Sequence, residues 1–324
     1  MEERELGRSG ISVSRVILGC GNFGGIGSAP AFFGQGESEE EAFAIMDAAW
    51  DLGITAFDTA DAYGGERSET AIGKWLLSKD SDVRDRIVIT TKTFNPMREG
   101  ADRGLSRPRI LRQIDTSLER LGLERVPLYM AHDWDPDTPL EETLQTFDEL
   151  VRSGKAGAVG LSNVTGEQLA EALEISGVEG ISRIEWVQNA YSLLERSADE
   201  EVLPVCRQHG LGFAPFGPLS GGWLAGRYSR GVSFPAGSRM ATRPEPYLHL
   251  VGGRLFKGLD ALAAAAQERG VSTAGLALAW VLSHPDVTAA VVGPRRPEHL
   301  EPVTEALSID LSPSERDSLA ALFR

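Results

Sequence analysis

The sequence contains very little cysteine. Only Cys20 and Cys206 occur among its 324 residues, and they stand far apart with no Cys-x-x-Cys spacing. A disulfide-stapled fold or a cysteine-based metal site needs more sulfur than this, so the composition excludes both. We expect the two thiols to be small buried residues, and we predict no metal ion.

Long apolar runs are absent as well. The most apolar stretches, residues 259–266 and 274–282, fall well short of the roughly 20 residues that a membrane-spanning helix needs. The first eight residues are mostly charged and lack the apolar segment of a signal peptide. The sequence therefore predicts a soluble, cytoplasmic protein without a membrane partner.

Positive charge is scarce. Lysine and arginine number 32 against 47 aspartates and glutamates, which gives a formal net charge of −15. Such a surface repels nucleic acid and anionic membranes, so we expect no nucleic-acid partner. An anionic ligand would have to be held by a local cluster of positive side chains.

A Rossmann fingerprint is also missing. A glycine cluster at residues 19–27 follows the first strand candidate, but it runs into Pro30 and two phenylalanines instead of opening a helix. Without the G-x-G-x-x-G turn at a helix start, the chain does not have the signature of an open dinucleotide-binding sheet.

What the chain does have is a regular alternation of short β-branched segments and longer segments of helical period. This order is typical of parallel strands joined by crossover helices. Eight strand candidates occur, at residues 16–18, 56–58, 87–91, 126–130, 158–161, 184–188, 212–215 and 289–292. Eight such repeats predict an α/β fold of the (β/α)8 TIM-barrel type. We expect a single domain over residues 1–324, preceded in space by an N-terminal β-hairpin at residues 4–13.

Several helix ends carry sequence signals. Ser38 with Glu41, and Thr138 with Glu141, have the spacing of a capping box, which predicts that a helix begins at each. Glycines that follow a helical segment predict where a helix ends. Three stand in that position: Gly122, Gly154 and Gly270.

The longest stretch without a clear period is residues 217–246, which is rich in glycine, proline and arginine. It could be a linker. A mobile active-site loop after the seventh strand is the interpretation we favour, because long loops in compact domains often carry function.

Polar residues fall at the ends of three successive strands. Asp58 and Lys92 close two of them, His132 lies just past the third, and Tyr63 lies in the loop after Asp58. Catalytic groups of a barrel stand at the carboxyl ends of its strands. Because a buried charge needs a partner, we expect Asp58 and Lys92 to pair, and the ammonium to lower the pKa of Tyr63.

These four residues predict a general-acid site. Tyr63 would donate a proton to a developing alkoxide, and His132 would orient a carbonyl oxygen or relay the proton. Taken singly, each has an ordinary explanation: Asp58 as a turn carboxylate, Lys92 as a solvated lysine, Tyr63 and His132 as loop residues. Their recurrence at the same end of successive strands favours the catalytic interpretation.

Three motifs in this order resemble the aldo-keto reductase superfamily. They are F-D-T-A-D-A-Y-G-G-E-R-S-E-T-A-I-G (residues 57–73), I-V-I-T-T-K (87–92) and L-Y-M-A-H (128–132). The resemblance spans nearly the whole chain. It implies a barrel that binds NADP(H) across its top and reduces a carbonyl by direct hydride transfer, with Asp58, Tyr63, Lys92 and His132 as the catalytic residues.

The resemblance also implies cofactor-binding positions. G-L-S-N (residues 160–163) and Gln188 would hold the nicotinamide carboxamide, residues 216–228 the ring and the pyrophosphate, and residues 291–300 the 2′-phosphate, with Arg295 as the charge clamp. The full set is Gly21, Asn22, Asp58, Ser162, Asn163, Gln188, Phe216, Gly217, Pro218, Leu219, Ser220, Gly222, Arg227, Gly293, Arg295 and His299. Aromatic residues predicted at the barrel mouth suggest a substrate site of Tyr63, His132, Trp134 and Trp223, with Phe32 or Phe33 beside them.

The sequence departs from the family pattern at the adenosine end. His299 replaces the usual glutamine, and Val303, preceded by Pro302, replaces the asparagine expected to contact adenine. These changes predict weaker adenine contacts or a less strict preference for NADP(H).

Two other functions fit the same residues. One is a cofactor-bound regulatory subunit of the same fold, like the β subunits of potassium channels. The other is a cofactor-free barrel, an isomerase or lyase, in which Lys92 forms a Schiff base. A small-molecule carbonyl compound is the partner that the leading interpretation requires, and the sequence does not determine an oligomeric state.

Overall fold

The β-branched segments form strands because a parallel sheet buries their apolar side chains on both faces. The structure is a computed structural model that describes residues 1–323. Two short antiparallel strands come first, β1 (Glu3–Glu5) and β2 (Ser12–Ser14). Eight further strands follow: β3 (Val16–Gly19), β4 (Ala56–Asp58), β5 (Val88–Thr93), β6 (Val126–Ala131), β7 (Ala156–Ser162), β8 (Ile184–Gln188), β9 (Gly212–Phe213) and β10 (Ala290–Val292).

The helices lie between these strands and at the end of the chain. They are α1 (Glu39–Asp51), α2 (Arg67–Leu77), α3 (Ser81–Arg86), α4 (Arg107–Leu121), α5 (Leu140–Arg152), α6 (Gly166–Glu179), α7 (Val202–His209), α8 (Arg239–Thr242), α9 (Gly253–Glu268), α10 (Thr273–Leu282), α11 (Glu301–Ser308) and α12 (Pro313–Ala321). Their apolar faces pack against the outside of the sheet and form the larger of two hydrophobic cores.

The eight parallel strands pair in the order β10-β3-β4-β5-β6-β7-β8-β9. The two ends of this sheet meet between β9 and β10. The main-chain N–H of Thr288 donates to the carbonyl of Phe213 over 2.8 Å, and that of Val291 donates to the carbonyl of Pro215 over 2.9 Å. The sheet therefore closes, and the predicted (β/α)8 barrel is confirmed.

The barrel interior is a second, smaller core. Leu128, Met130 and Trp186 are among its members, and Leu6 and Val13 join them from the N-terminal hairpin. The hairpin thus covers the end of the barrel where the strands begin. The opposite end, where the strands stop, is left for the loops that carry the polar residues.

The predicted boundaries need two corrections. Lys92 lies inside β5, which continues to Thr93, and does not follow the strand. The capping box at Thr138 does not form, because the Thr138 hydroxyl donates to Asp135 over 2.7 Å and the N-cap of α5 is Pro139.

The other helix signals are confirmed. Ser38 and Glu41 form both hydrogen bonds of the capping box that begins α1. Each predicted stop glycine follows the end of a helix in the left-handed conformation: Gly122, Gly154 and Gly270 have φ values of 66°, 80° and 68°.

The long segment after the seventh barrel strand has more local structure than its composition suggested. It contains the 3-10 turn Ser220–Ala225 and α8, and a second 3-10 turn, Glu245–Leu250, begins at its end. Two of its arginines reach the loop that follows β3: Arg239 donates to Asn22 over 3.3 Å, and Arg243 donates to the carbonyl of Ile26 over 2.8 Å. The segment therefore lies beside the barrel mouth, and its mobility stays a prediction.

Cys20 and Cys206 are both free and buried, as expected. Within residues 1–323, no helix has the length and apolar character needed to cross a membrane. The same residues contain no group of three or more metal-ligating side chains.

Candidate active site

A buried ion pair lies at the carboxyl ends of the first barrel strands. β4 ends at Asp58, and the neighbouring β5 carries Lys92 near its end. The Lys92 ammonium donates to Asp58 Oδ2 over 2.7 Å and to the carbonyl of Thr59 over 2.9 Å. The two side chains are 0% and 4% exposed, so the pair is shielded from water.

The surroundings keep Lys92 charged. Burial is the largest effect and lowers its pKa, but the Asp58 carboxylate and the neighbouring Tyr63 together outweigh it, and the pKa of Lys92 is raised above its ordinary value. Gln188, at the end of β8, donates its side-chain N–H to Asp58 Oδ1 over 2.9 Å. Both carboxylate oxygens are therefore hydrogen-bonded, and the site holds a fixed positive charge at the barrel mouth.

Tyr63 and His132 meet above this pair. The Tyr63 hydroxyl lies 3.3 Å from His132 Nε2, and the two rings stand edge to face with centroids 5.2 Å apart. The Lys92 ammonium lies 5.1 Å from the centre of the Tyr63 ring. The four residues that the sequence singled out thus gather at one point of the barrel.

Glycines determine the path of the Tyr63 loop. Gly64 and Gly65, which follow Tyr63, have φ values of 62° and 63°, which an L side chain rarely adopts. A Cβ atom on Gly64 would lie 2.6 Å from the carbonyl oxygen of Phe23, so the loop depends on the missing side chain. A Cβ on Gly21 would touch the Tyr63 ring at 3.5 Å, which places Gly21 beside the phenol.

The expected lowering of the Tyr63 pKa is wrong in its net direction. Burial raises the pKa of the phenol, the Lys92 charge lowers it only in part, and the Asp58 charge adds to the rise. The tyrosine is therefore a neutral phenol at neutral pH. This state still suits a proton donor, because the proton is present and an adjacent ammonium favours the anion that remains.

His132 is held in its neutral form. Burial, followed by the nearby Lys92 charge, lowers the pKa of His132 well below its ordinary value. Its Nδ1 is buried and has no hydrogen-bond partner among residues 1–323. A neutral imidazole whose Nε2 faces the Tyr63 hydroxyl can orient a carbonyl oxygen at that point.

The residues predicted to hold a carboxamide lie next to the four central ones. Ser162 ends β7 and Gln188 ends β8, and both are buried. Asn163 has a φ of 57° and donates its side-chain N–H to the carbonyl of His132 over 2.9 Å. Asn163 therefore also supports the loop that carries His132, a contact that the sequence did not reveal.

The segment after β9, which the sequence predicts to bind phosphate, contains a run of residues in the left-handed conformation. Ser220, Gly221 and Gly222 follow one another with φ values of 46°, 65° and 99°. A Cβ on Gly217, whose φ is 66°, would find no atom within 4 Å. The main-chain N–H groups of Ser220 and Gly222 donate within the loop, to the carbonyls of Gly217 and Leu219 over 2.9 Å each, so the open side of the loop lies at Gly217. Of the other predicted positions, Phe216 and Leu219 are half-buried, Pro218 is buried and Gly293 is exposed.

Trp223 does not line the barrel mouth, contrary to the prediction. Its side chain has no exposed surface and packs edge to face against Tyr228, Phe234 and Phe256, at centroid distances of 4.7, 5.9 and 5.9 Å. These neighbours come from its own loop and from α9, so the indole belongs to the packing beneath the loop. Trp134 is half-buried in the loop after β6, and its role at the substrate stays a prediction.

The predicted adenosine-end residues come together. The main-chain N–H of Arg295 donates to His299 Nδ1 over 3.1 Å, and Arg227 Nη2 lies 2.5 Å from His299 Nε2. Val303 is 1% exposed and belongs to the core, so it offers no polar contact, as its side chain implied. A buried carboxylate, Glu37, joins this group through Arg295 and was not foreseen, because it looks like part of an acidic helix start.

A second buried polar network lies behind the site and was also missed. Asp61 has no exposed surface, and its Oδ2 accepts from the Thr93 hydroxyl over 2.7 Å. Arg109 in turn donates to the Thr93 hydroxyl over 2.6 Å, and the Asp61 main-chain N–H donates to the carbonyl of Lys92 over 2.9 Å. The repeated aspartate in D-T-A-D was the available signal. This network ties the Tyr63 loop to the strand that carries Lys92.

Asp61 should give the fold a measurable pH dependence. Burial, reinforced by the charge of Glu69, raises the pKa of Asp61 to about 7. Between about pH 4 and 7 the folded chain then binds a proton that the unfolded chain has released, so this contribution is present at low pH and declines as pH rises. We expect Asp61→Asn to remove a slope of up to about 1.4 kcal/mol per pH unit in that window.

Urea unfolding of both proteins at pH 5 and pH 8 measures this slope. Asp51→Asn, at an exposed position on α1, is the matched control and should leave the slope unchanged. Equal pH dependence in wild type and Asp61→Asn would show that the Asp61 carboxyl does not titrate in this range.

Comparison with known proteins identifies the class. The model of the aldo/keto reductase family matches residues 15–323, and this chain belongs to that family. YrpG, an uncharacterized oxidoreductase of Bacillus subtilis (strain 168), is 37% identical over 320 residues, which cover 96% of this chain and 92% of the relative. L-glyceraldehyde 3-phosphate reductase of Escherichia coli (strain K12) is 34% identical over 316 residues, covering 95% and 88%.

A further relative is named as a channel subunit and not as a reductase. It is described as a probable voltage-gated potassium channel subunit beta of Oryza sativa subsp. japonica, and it is 32% identical over 337 residues, covering 99% of this chain and 96% of the relative. The family and the reductase-named relatives support an oxidoreductase that reduces carbonyl groups.

Proposed function

We propose that this chain is an NADP(H)-dependent reductase of an aldehyde, a ketone or a sugar-derived carbonyl. The observation that carries the proposal is the gathering of Tyr63, His132 and the buried Asp58–Lys92 pair at one point of the barrel mouth. A phenol backed by a fixed ammonium can act as a general acid on a carbonyl oxygen, and the family membership favours a nicotinamide as the hydride source.

The side chains present fit a nicotinamide dinucleotide. Ser162, Asn163 and Gln188 offer hydroxyl and amide groups at the end where Tyr63 lies, as a carboxamide requires. The open backbone at Gly217 leaves room for a phosphate approach. Arg227, Arg295 and Arg296 supply the local positive charge that an anionic ligand needs on a chain with a net charge of −15.

The protein's own groups define the proton side of the reaction. A carbonyl oxygen placed between the Tyr63 hydroxyl and His132 Nε2 accepts hydrogen bonds from both, if the neutral imidazole carries its proton on Nε2. As negative charge develops on that oxygen, Tyr63 donates its proton, and the Lys92 ammonium stabilises the phenolate that results. Asp58, itself hydrogen-bonded by Gln188, holds Lys92 in place, and a bound NADPH would supply the hydride.

Two measurements test the proposal. Addition of NADPH should quench the intrinsic fluorescence of the protein, and a panel of aldehydes, ketones and sugars should then consume NADPH. Parallel assays with NADH measure the preference between the two cofactors. Failure to bind either dinucleotide would contradict the proposal.

The channel-subunit relative makes a regulatory function the second candidate. A regulatory subunit would retain bound NADPH against every carbonyl of the panel and form a stable complex with a partner protein. The complete set of Asp58, Tyr63, Lys92 and His132 favours turnover.

The Schiff-base alternative is disfavoured by the raised pKa of Lys92, since a paired ammonium is not a nucleophile. Borohydride trapping of a substrate on Lys92 would support the Schiff-base alternative.

A further inference from the structure

A buried carboxylate lies at the adenosine end of the proposed cofactor site. Glu37 precedes Ser38, the N-cap of α1, and its side chain is 3% exposed. The acidic residues that follow it on the helix, Glu39, Glu40 and Glu41, are exposed. Burial of a carboxylate costs free energy unless a cation or hydrogen bonds compensate, so Glu37 must be held by a specific partner.

Arg295 is that partner. Its Nε lies 2.5 Å from Glu37 Oε1, and its Nη1 donates to the carbonyl of Gly237 over 2.5 Å. The second carboxylate oxygen, Oε2, is buried and has no hydrogen-bond partner among residues 1–323. The guanidinium is therefore shared between one carboxylate oxygen and a loop carbonyl, while Glu37 keeps one unused acceptor.

A second arginine, Arg239, lies near Glu37. Burial lowers the pKa of Arg239, and the charges of Arg243 and Arg295 lower it further. Tyr247 and Glu37 act in the opposite direction and raise it. Burial raises the pKa of Glu37 even though Arg295 acts in the opposite direction, and the Glu41 charge adds to the rise. Glu37 is thus a buried carboxylate beside arginines whose positive charge a bound phosphate would otherwise not have to share.

We propose that Glu37 is a specificity-determining residue that competes with a cofactor 2′-phosphate for Arg295 and so weakens the preference for NADP(H) over NAD(H). The inference rests on the proposed function, in which Arg295 binds the 2′-phosphate. A phosphate monoester carries about −1.5 to −2 charges at pH 7 and must share Arg295 with a carboxylate that already contacts it. A ribose 2′-hydroxyl brings no charge, and Arg295 stays neutralised by Glu37 when it binds.

Nucleotide fragments test this without any turnover. 2′,5′-ADP carries the 2′-phosphate and 5′-ADP lacks it, and calorimetry measures the Kd of each for wild type and Glu37→Gln. We expect Glu37→Gln to tighten 2′,5′-ADP about tenfold and to change 5′-ADP by less than about twofold, because only the phosphate competes for Arg295. The same ratio measured with NADP⁺ and NAD⁺ should move in the same direction.

Two further variants make the result specific. Glu40→Gln removes the same charge from an exposed position of α1 and should leave both Kd values unchanged. Glu37→Asp keeps the charge but shortens the side chain, so the carboxylate withdraws from Arg295 and 2′,5′-ADP should tighten to a smaller degree. If Glu37→Gln does not fold, Glu37→Asp carries the test.

The outcomes separate this inference from the proposed function. Equal changes for 2′,5′-ADP and 5′-ADP would assign Glu37 a structural role only and would overturn the inference, as would an unchanged ratio in the Glu37 variants. If the ratio stays unchanged there while Arg295→Gln loses 2′,5′-ADP selectively, the Arg295 assignment stands and the Glu37 inference alone fails. A wild-type protein that binds neither nucleotide would contradict both.

Discussion

Tyr63→Phe should abolish carbonyl reduction while leaving the cofactor site intact. The variant keeps the aromatic ring against Gly21 and the Lys92 ammonium but removes the hydroxyl that faces His132 and donates the proton in the proposed reaction. A general acid contributes roughly 10²- to 10⁴-fold to a rate, so we expect kcat to fall by at least about a hundredfold. Steady-state assays with the best carbonyl of the panel measure this loss.

Fluorescence quenching by NADPH provides the control for Tyr63→Phe. The Kd should stay within about twofold of wild type, since the interactions assigned to the adenosine end do not involve Tyr63. If Tyr63→Phe kept full activity, Tyr63 would not be the proton donor, whatever its position in the structure. A parallel loss of NADPH binding would indicate a collapsed site and not a missing proton.

Lys92→Met should be both inactive and unstable. It removes the ammonium but leaves the Asp58 carboxylate buried, with Gln188 as its remaining side-chain donor. Loss of one partner from a buried ion pair costs about 3–5 kcal/mol in the free energy of unfolding, because an uncompensated charge remains. Urea unfolding of wild type and variant at the same pH measures the cost.

Two matched variants separate the roles of the pair. The double variant Asp58→Asn with Lys92→Met removes both charges, so it should recover most of the lost stability yet remain inactive, because the ammonium is still missing. Lys74→Met breaks an exposed ion pair with Glu39, whose partners are about half exposed, and should cost less than about 1 kcal/mol. A double variant as unstable as Lys92→Met would show that charge imbalance is not the cause.

The barrel could be predicted because its signals are local. Each strand candidate is a short apolar run, each helix has its own periodicity, and all eight predicted strands are present in the structure. The error at the start of α5 arose where two local signals compete for one side chain. Thr138 has the sequence of a cap, but Asp135 takes its hydroxyl, and α5 begins after Pro139.

The four central residues could be located for a related reason. Asp58 and Lys92 belong to adjacent strands, and His132 and Tyr63 lie in loops at the same barrel end, so the order of the strands alone brings them together. The direction of the Tyr63 pKa could not be obtained in this way. It depends on the balance between desolvation and the Lys92 charge, and that balance is set by packing around the finished site.

Periodicity and the order of elements are enough to predict the alternation of strands and helices, the closed barrel, and the identity of the polar groups at its mouth. Only the tertiary structure placed Trp223 in an aromatic cluster and paired Glu37 with Arg295, 258 residues away in the chain. Burial and ion pairing depend on distances and on the exclusion of water, which are properties of the assembled fold.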